Sequence, residues 1–126
     1  MISPGVGTMD QSEIEGFIRD KPAGVIALVD GDKPYAVPVE HHFDGKTLHF
    51  IISPREGRKI NCIRNNPNAC YVIYESRRER VGSPIPCRSV IMEGRLTLHG
   101  SSLKMDVERG GNWKCPPAMF AGCNAG

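Results

Sequence analysis

Residues 23–52 read AGVIALVDGDKPYAVPVEHHFDGKTLHFII, and this stretch decides the fold. Its first segment, 23–29 (AGVIALV), is an apolar run of strand length and reads as a buried strand. Asp30-Gly31-Asp32 supplies turn chemistry. Segment 35–43 (YAVPVEHHF) is extended and rich in strand formers, and Pro38, with no N–H to give a ladder, argues for an edge or a bulge. Asp44-Gly45 is a hairpin signal, and 47–52 (TLHFII) is the next strand. Strands that follow one another through tight turns pair antiparallel, whereas a parallel doubly wound sheet needs a crossover helix between them.

Upstream, residues 10–20 read as a helix. Ser12 followed by Glu15 has the capping-box pattern, Ile14, Phe17 and Ile18 form one apolar stripe, and Lys21-Pro22 ends the helix. Downstream, Ser53-Pro54-Arg55-Glu56-Gly57 breaks the strand. Arg58–Asn65 is a second helix with Ile60 and Ile63 on one face, stopped by Asn66-Pro67. Asn68–Tyr74 (NACYVIY) is a strand, and 75–86, charged and holding two prolines, is a long loop. Arg88–His99 is a strand interrupted at Gly94, read as a bulge or barrel corner. After Gly100 no period is read, and Gly110-Gly111 and Pro116-Pro117 punctuate a tail. About five strands and two helices make a mainly β chain, a small antiparallel barrel with helices at its ends. The 126 residues are expected to form one domain, with a flexible stretch at 1–9 and a tail without assigned structure at 100–126.

Composition narrows the function. Lys+Arg 16 against Asp+Glu 14 leaves a formal charge of +2, which gives no electrostatic reason to expect nucleic acid. No apolar stretch reaches the roughly 18 residues of a spanning helix, and 1–9 lacks a basic region followed by an apolar run. No membrane association is expected, and the expected location is cytoplasmic. Cys62, Cys70, Cys87, Cys115 and Cys123 are odd in number and dispersed, so unpaired thiols are the preferred reading. A redox pair or cluster ligand at Cys115 and Cys123 is the alternative. Neither a Gly-x-Ser-x-Gly elbow nor a Gly-x-Gly-x-x-Gly turn occurs.

The chemistry-bearing stretch is Ile51-Ile52-Ser53-Pro54-Arg55-Glu56-Gly57-Arg58-Lys59. A strand ends, a Ser and a Gly turn the chain, and a helix starts with adjacent cations. Free amides at a helix N-terminus favour an anion. Ser53 can add a hydroxyl, Arg58 a planar fork and Lys59 a point charge, which together suit a phosphate. The competing reading is a solvated basic helix start with Ser53 as its cap. Basic residues in a first turn oppose the helix dipole, and a bound anion would explain them. In the 35–42 stretch (YAVPVEHH) an extended backbone could meet the edge of a planar ring. His41 and His42 adjoin and so face opposite sides of the strand. Taken singly, each reads as an ordinary surface or edge histidine, the alternative being that one of them faces a pocket, and that geometry argues against a two-His metal site. His49 and His99 read as structural, and no metal site is expected.

Several motifs then recur in order: Pro34-Tyr35 before Val37-Pro38-Val39, the Asp44-Gly45 hairpin, Gly57-Arg58-Lys59, Asn66-Pro67, and Ser89-Val90 before Gly94. Over roughly residues 12–98 this order resembles the pyridoxamine 5'-phosphate oxidase-related, FMN-binding split-barrel superfamily, and within it the nitroimidazole-resistance-type branch. The resemblance implies a six-stranded antiparallel split barrel, a homodimer, and FMN at the interface. By position it puts the FMN phosphate on Ser53, Arg58 and Lys59. It runs the ribityl chain and ring edge along Val37, Pro38, Val39, Glu40 and His41, largely through backbone, and brings Arg88 and Ser89 to the flavin from the last strand. Ile52 belongs to the same site and stands where the nitroimidazole-resistance branch commonly has a histidine, so activity relying on that histidine is not expected. The tail GGNWKCPPAMFAGCNAG lacks the C-terminal strand and Arg/His set that pyridoxamine phosphate oxidases use for substrate, so genuine oxidase activity of that kind is not expected.

The implied function is an FMN-dependent oxidoreductase acting on a small molecule or redox partner. The alternatives are a non-enzymatic carrier of flavin or haem, with His41, His42 or His99 on the iron, and a cofactor-free barrel used for protein contacts. Trp113, the only tryptophan, is expected either to pack near the flavin or to pin the tail to the barrel. Val72, Ile91 and Leu96 are expected to face a partner subunit.

Overall fold

The computed structural model describes residues 9–53, 57–76, 82 and 87–114. In chain order the elements are α1 (Gln11–Asp20), β1 (Ala23–Asp30), β2 (Lys33–Phe43), β3 (Leu48–Ile51), α2 (Arg58–Asn65), β4 (Asn68–Tyr74), β5 (Arg88–His99) and β6 (Ser102–Lys114). The six strands close into a barrel in the order β1-β2-β3-β6-β5-β4, and each neighbouring pair is antiparallel.

The hairpins stand where the turn residues put them. Gly31 takes φ 67° between β1 and β2, and Gly45 takes φ 95° between β2 and β3, a region open to glycine at little cost. Asp44 holds the second turn by accepting from the backbone N–H groups of Lys46 at 2.9 Å and Thr47 at 2.7 Å. Pro38 lies opposite Val25 of β1, while β3 pairs with β2 only over Glu40–Phe43. Among the described residues, Pro38 therefore sits on a locally open edge, where a missing N–H costs the ladder nothing.

The helices cover opposite ends of the barrel. α1 buries Ile14, Phe17 and Ile18, all in the same core cluster as Ile26, Tyr71 and Met92. Its capping box lies two residues earlier than Ser12 and Glu15 suggest. Asp10 is the N-cap, its carboxylate accepts from Glu13 N–H at 2.9 Å, and Glu13 accepts from Asp10 N–H. Ser12 already lies inside the helix. At the other end α2 buries Ile60, Cys62 and Ile63, and Pro67 O behind it accepts from Leu96 N–H at 2.8 Å.

Two expectations are corrected. The chain after Gly100 contains the longest strand, β6, which pairs with both β3 and β5 and closes the barrel. Leu103, Met105 and Val107 alternate along it as inward residues, but an irregularity breaks the period. Glu93 pairs with Arg109 and Gly94 with Val107, so Glu108 is an extra residue on β6. Leu96 is buried, not partner-facing. Because the extra residue sits on β6, the alternation of β5 runs on unbroken, and Leu96 shares the inner face with Met92 while Ile91 faces out. The loop expected at 75–86 lies largely outside the described residues, as do Cys115 and Cys123. Cys62 and Cys70 are free thiols.

Candidate functional site

β3 stops at Ile51, opposite Glu40. The chain passes through half-buried Ile52, which packs against the core, and exposed Ser53. α2 then opens at Arg58, with Gly57 rather than Ser53 at the N-cap position and no side-chain cap bond from it. Asn61 is the first residue whose N–H bonds back into the helix, to Gly57 O at 3.0 Å. The first turn contains no acid, and Arg58 and Lys59 stand in it. Uncapped amides and two cations form a donor set for an anion.

Arg58 is already oriented. Its Nε donates to Asp30 Oδ2 at 2.7 Å, and its guanidinium carbon lies 4.0 Å from the centroid of the Tyr35 ring. Asp30 and Tyr35 flank the β1–β2 turn, so the start of α2 is fixed against the open edge of β2. Along that edge Val39 is buried and Val37 half-buried, while Pro38 and Glu40 face out. A ligand on this stretch would meet backbone and Pro38 rather than the side chains of Val37 and Val39. The structure thus sets Arg58 against Asp30 and Tyr35, two residues that the sequence marks only as turn and strand.

His41 is not a surface histidine. It is 7% exposed, its Nε2 lies 2.8 Å from Ile18 O and its Nδ1 lies 2.5 Å from the Tyr71 hydroxyl. A carbonyl only accepts, so Nε2 carries the proton and Nδ1 accepts from Tyr71. Both ring nitrogens are engaged inside the barrel, which leaves neither for a flavin or a haem iron. Burial lowers its pKa from the ordinary 6.5, partly opposed by the Ile18 carbonyl, with His42 lowering it further. Burial likewise pushes the Tyr71 hydroxyl up. His42 is exposed on the other face of the strand, opposite His49 of β3. His49 bonds Asp44 at 3.1 Å.

Arg88 and Ser89 are placed elsewhere. Arg88 is bound by Glu75 through Nε at 3.0 Å and Nη2 at 3.2 Å, and its guanidinium carbon lies 4.8 Å from the Phe17 ring centroid. The Glu75 side chain is 0% exposed and also pairs with Lys21 at 2.9 Å. Arg88 therefore ties β5 to α1 inside an ion cluster. Ser89 lies on the outer face between Tyr74 and Trp113. Trp113 is thus a strand residue, half-buried beside Ser89. In β5, Ser89 is six residues from Arg95, which pairs with Asn68 at the α2 end. At about 3.3 Å per residue that places Ser89 about 20 Å from the Arg58 end of the barrel. One chain does not bring Arg58 and Ser89 together.

Among the described residues no group of three or more His, Cys, Asp or Glu is arranged to hold a metal, and no helix is long and apolar enough to cross a membrane. A groove of about 660 Å³ runs over the outer face, lined in part by Ala27, Cys70, Glu93 and Arg109.

A family model described as pyridoxamine 5'-phosphate oxidase matches residues 10–111. Among solved structures, a conserved hypothetical protein of Mycobacterium tuberculosis is similar with a TM-score of 0.71 at 13% identity, over 89% of this chain and 89% of its own. An FAD-binding protein of Mesorhizobium loti gives 0.66 at 18% identity, over 82% and 92%. A candidate 5-nitroimidazole antibiotic resistance protein of Bacteroides thetaiotaomicron gives 0.67 at 17% identity, over 82% and 82%. At these identities the likeness is one of fold. No curated protein matches the chain.

Proposed function

The chain belongs to the pyridoxamine 5'-phosphate oxidase family, and from that premise we propose that it binds FMN as a homodimer and serves as an oxidoreductase for a small molecule. The observation that supports this most is the donor set at α2: an uncapped helix start with Arg58 and Lys59 and no acid in its first turn. That set suits a phosphate dianion, and it adjoins the open backbone edge of β2, which suits a planar ring edge. The FAD-binding relative with the same fold is consistent with a flavin here. FMN is favoured because the phosphate donors are clustered at one terminus.

When bound, the flavin supplies the hydride or electron transfer. The residues of the chain bind and orient it: Ser53, Arg58 and Lys59 at the phosphate, and the backbone of residues 37–39 with Pro38 along the ring. Ser89 and Trp113 lie too far from Arg58 in the same chain to share a ligand's phosphate end with it. They would reach the flavin from a second copy, which is why the site is proposed at a dimer interface.

The test is a double substitution, Arg58→Ala with Lys59→Ala. Charge-assisted hydrogen bonds contribute about 1.5–3 kcal/mol each, so FMN affinity is expected to fall at least about tenfold. Unchanged flavin retention in a folded double variant would reject the phosphate placement. A visible spectrum of the purified protein without flavin bands after loading with FMN would reject the cofactor.

A further inference from the structure

Arg58 is exposed enough to swing freely, with its side chain 56% accessible, yet two neighbours hold it. Asp30 Oδ2 accepts from Nε at 2.7 Å, and the Tyr35 ring lies flat-face distance away, 4.0 Å from the guanidinium carbon to the ring centroid. A guanidinium has five N–H donors in a rigid plane. Asp30 occupies the one on Nε, which leaves donors on the two terminal nitrogens for a further acceptor. The Tyr35 ring under the guanidinium carbon is a second restraint on the group. Asp30 and Tyr35 come from either side of the β1–β2 turn, whose register is set by the pairing of Asp30 with Lys33 and Leu28 with Tyr35.

We infer that Asp30 and Tyr35 are positioning residues that hold the terminal fork of Arg58 ready for the flavin phosphate, and so make the site select a phosphorylated flavin over an unphosphorylated one. This rests on the FMN reading of the site. It makes a demand that simple charge counting does not. Asp30 is an anion beside a proposed phosphate site, so by Coulomb repulsion alone its removal should tighten FMN binding. If it positions Arg58, its removal should weaken binding, because the freed side chain must be ordered when the phosphate arrives.

The experiment measures dissociation constants for FMN and for riboflavin, by flavin fluorescence quenching, in wild type, Arg58→Ala, Asp30→Ala, Asp30→Asn, Tyr35→Leu and Tyr35→Phe. Wild type is expected to prefer FMN, and Arg58→Ala to lose much of that preference. Asp30→Ala is expected to weaken FMN binding about fivefold, the upper range for an exposed ion pair, with riboflavin unchanged. Asp30→Asn, whose amide oxygen still accepts from Nε, is expected to retain most of the affinity. Tyr35→Leu should behave like Asp30→Ala, and Tyr35→Phe like wild type. Equal or tighter FMN binding by Asp30→Ala overturns the inference while leaving the site intact. Equal loss of both flavins also overturns it, since it marks a role in the barrel rather than at the phosphate. No FMN preference in wild type, or none lost in Arg58→Ala, rejects the phosphate site itself and the inference with it.

Discussion

His41 is held from both sides of its ring, donating through Nε2 to Ile18 O and accepting at Nδ1 from Tyr71. It joins α1, β2 and β4 in one buried chain of polar contacts, and Tyr71 is in edge contact with Phe50 beneath it. Burial holds the ring neutral and lowers its pKa below the ordinary 6.5. The unfolded chain takes up that proton as the pH falls below about 6.5, and the folded chain does so only at lower pH. Protons therefore bind the unfolded state more strongly in that window, and stability is lost as the pH falls through it. Denaturant midpoints of the wild type are expected to drop between about pH 7 and pH 5, and those of His41→Gln to drop less from a lower starting value. A flat wild-type profile would show that His41 is not the buried neutral group described. The exposed Asp44 titrates in a separate window. The N–H groups of Thr47 and Lys46, and then His49, hold it at about 2 instead of 3.8, so what it contributes is lost only below about pH 4.

At the scale of elements, the hairpins and α2 were legible because their signals are local: turn glycines, strand formers and a proline stop within a few residues of each other. β6 was not, although Leu103, Met105 and Val107 alternate. The extra residue Glu108 shifts the period, and Gly110-Gly111 then reads as a breaker when it is paired strand opposite Ile91 and Met92. Gly94 was read correctly as an irregularity, for a reason only the pairing reveals. A Cβ there would collide with the backbone carbonyl of Asp106 on β6, so the bulge brings the two strands too close for any side chain. Gly94→Ala is expected to cost about 1–3 kcal/mol, the range for forced overpacking, with the barrel otherwise retained. An unfolding free energy equal to wild type would mean that β6 does not cross so closely. The site was legible in the same uneven way. The cations of α2 are adjacent in sequence, but Arg58 meets Asp30 across 28 positions and His41 meets Tyr71 across 30. Neither partner carries a local mark of that contact.

On the whole molecule, the outer face of the barrel carries a row of small and apolar residues across five strands: Pro38, Val25, Val72, Ile91 and Gly111, each paired with the next. Among the described residues, Ile51, Tyr74 and Ile91 are the exposed large hydrophobics, and Tyr74 pairs with Ser89, which pairs with Trp113. An outward-facing apolar row of this kind, half-buried at Val25 and Val72 and exposed at Pro38 and Ile91, suits a contact site, and a second copy of the chain is the proposed occupant. Assembly and flavin binding are then coupled, because Arg58 and Ser89 lie toward opposite ends of one barrel and two chains are needed to bring such residues to one ligand. Wild type loaded with FMN is expected to scatter light with twice the 13.8 kDa chain mass. Val72→Glu with Ile91→Glu should give a monomer, since a buried unpaired charge at an interface is strongly unfavourable. That monomer should also bind FMN more weakly, although its Arg58 and Lys59 are intact. The reverse variant, Arg58→Ala with Lys59→Ala, should lose FMN and remain a dimer. Trp113 reports on the same coupling: its emission should be quenched by FMN in the wild-type dimer and recover on flavin removal, and it should stay bright in the monomer at flavin concentrations that saturate the dimer. A monomeric variant that binds and quenches like wild type would place the whole flavin site within one chain.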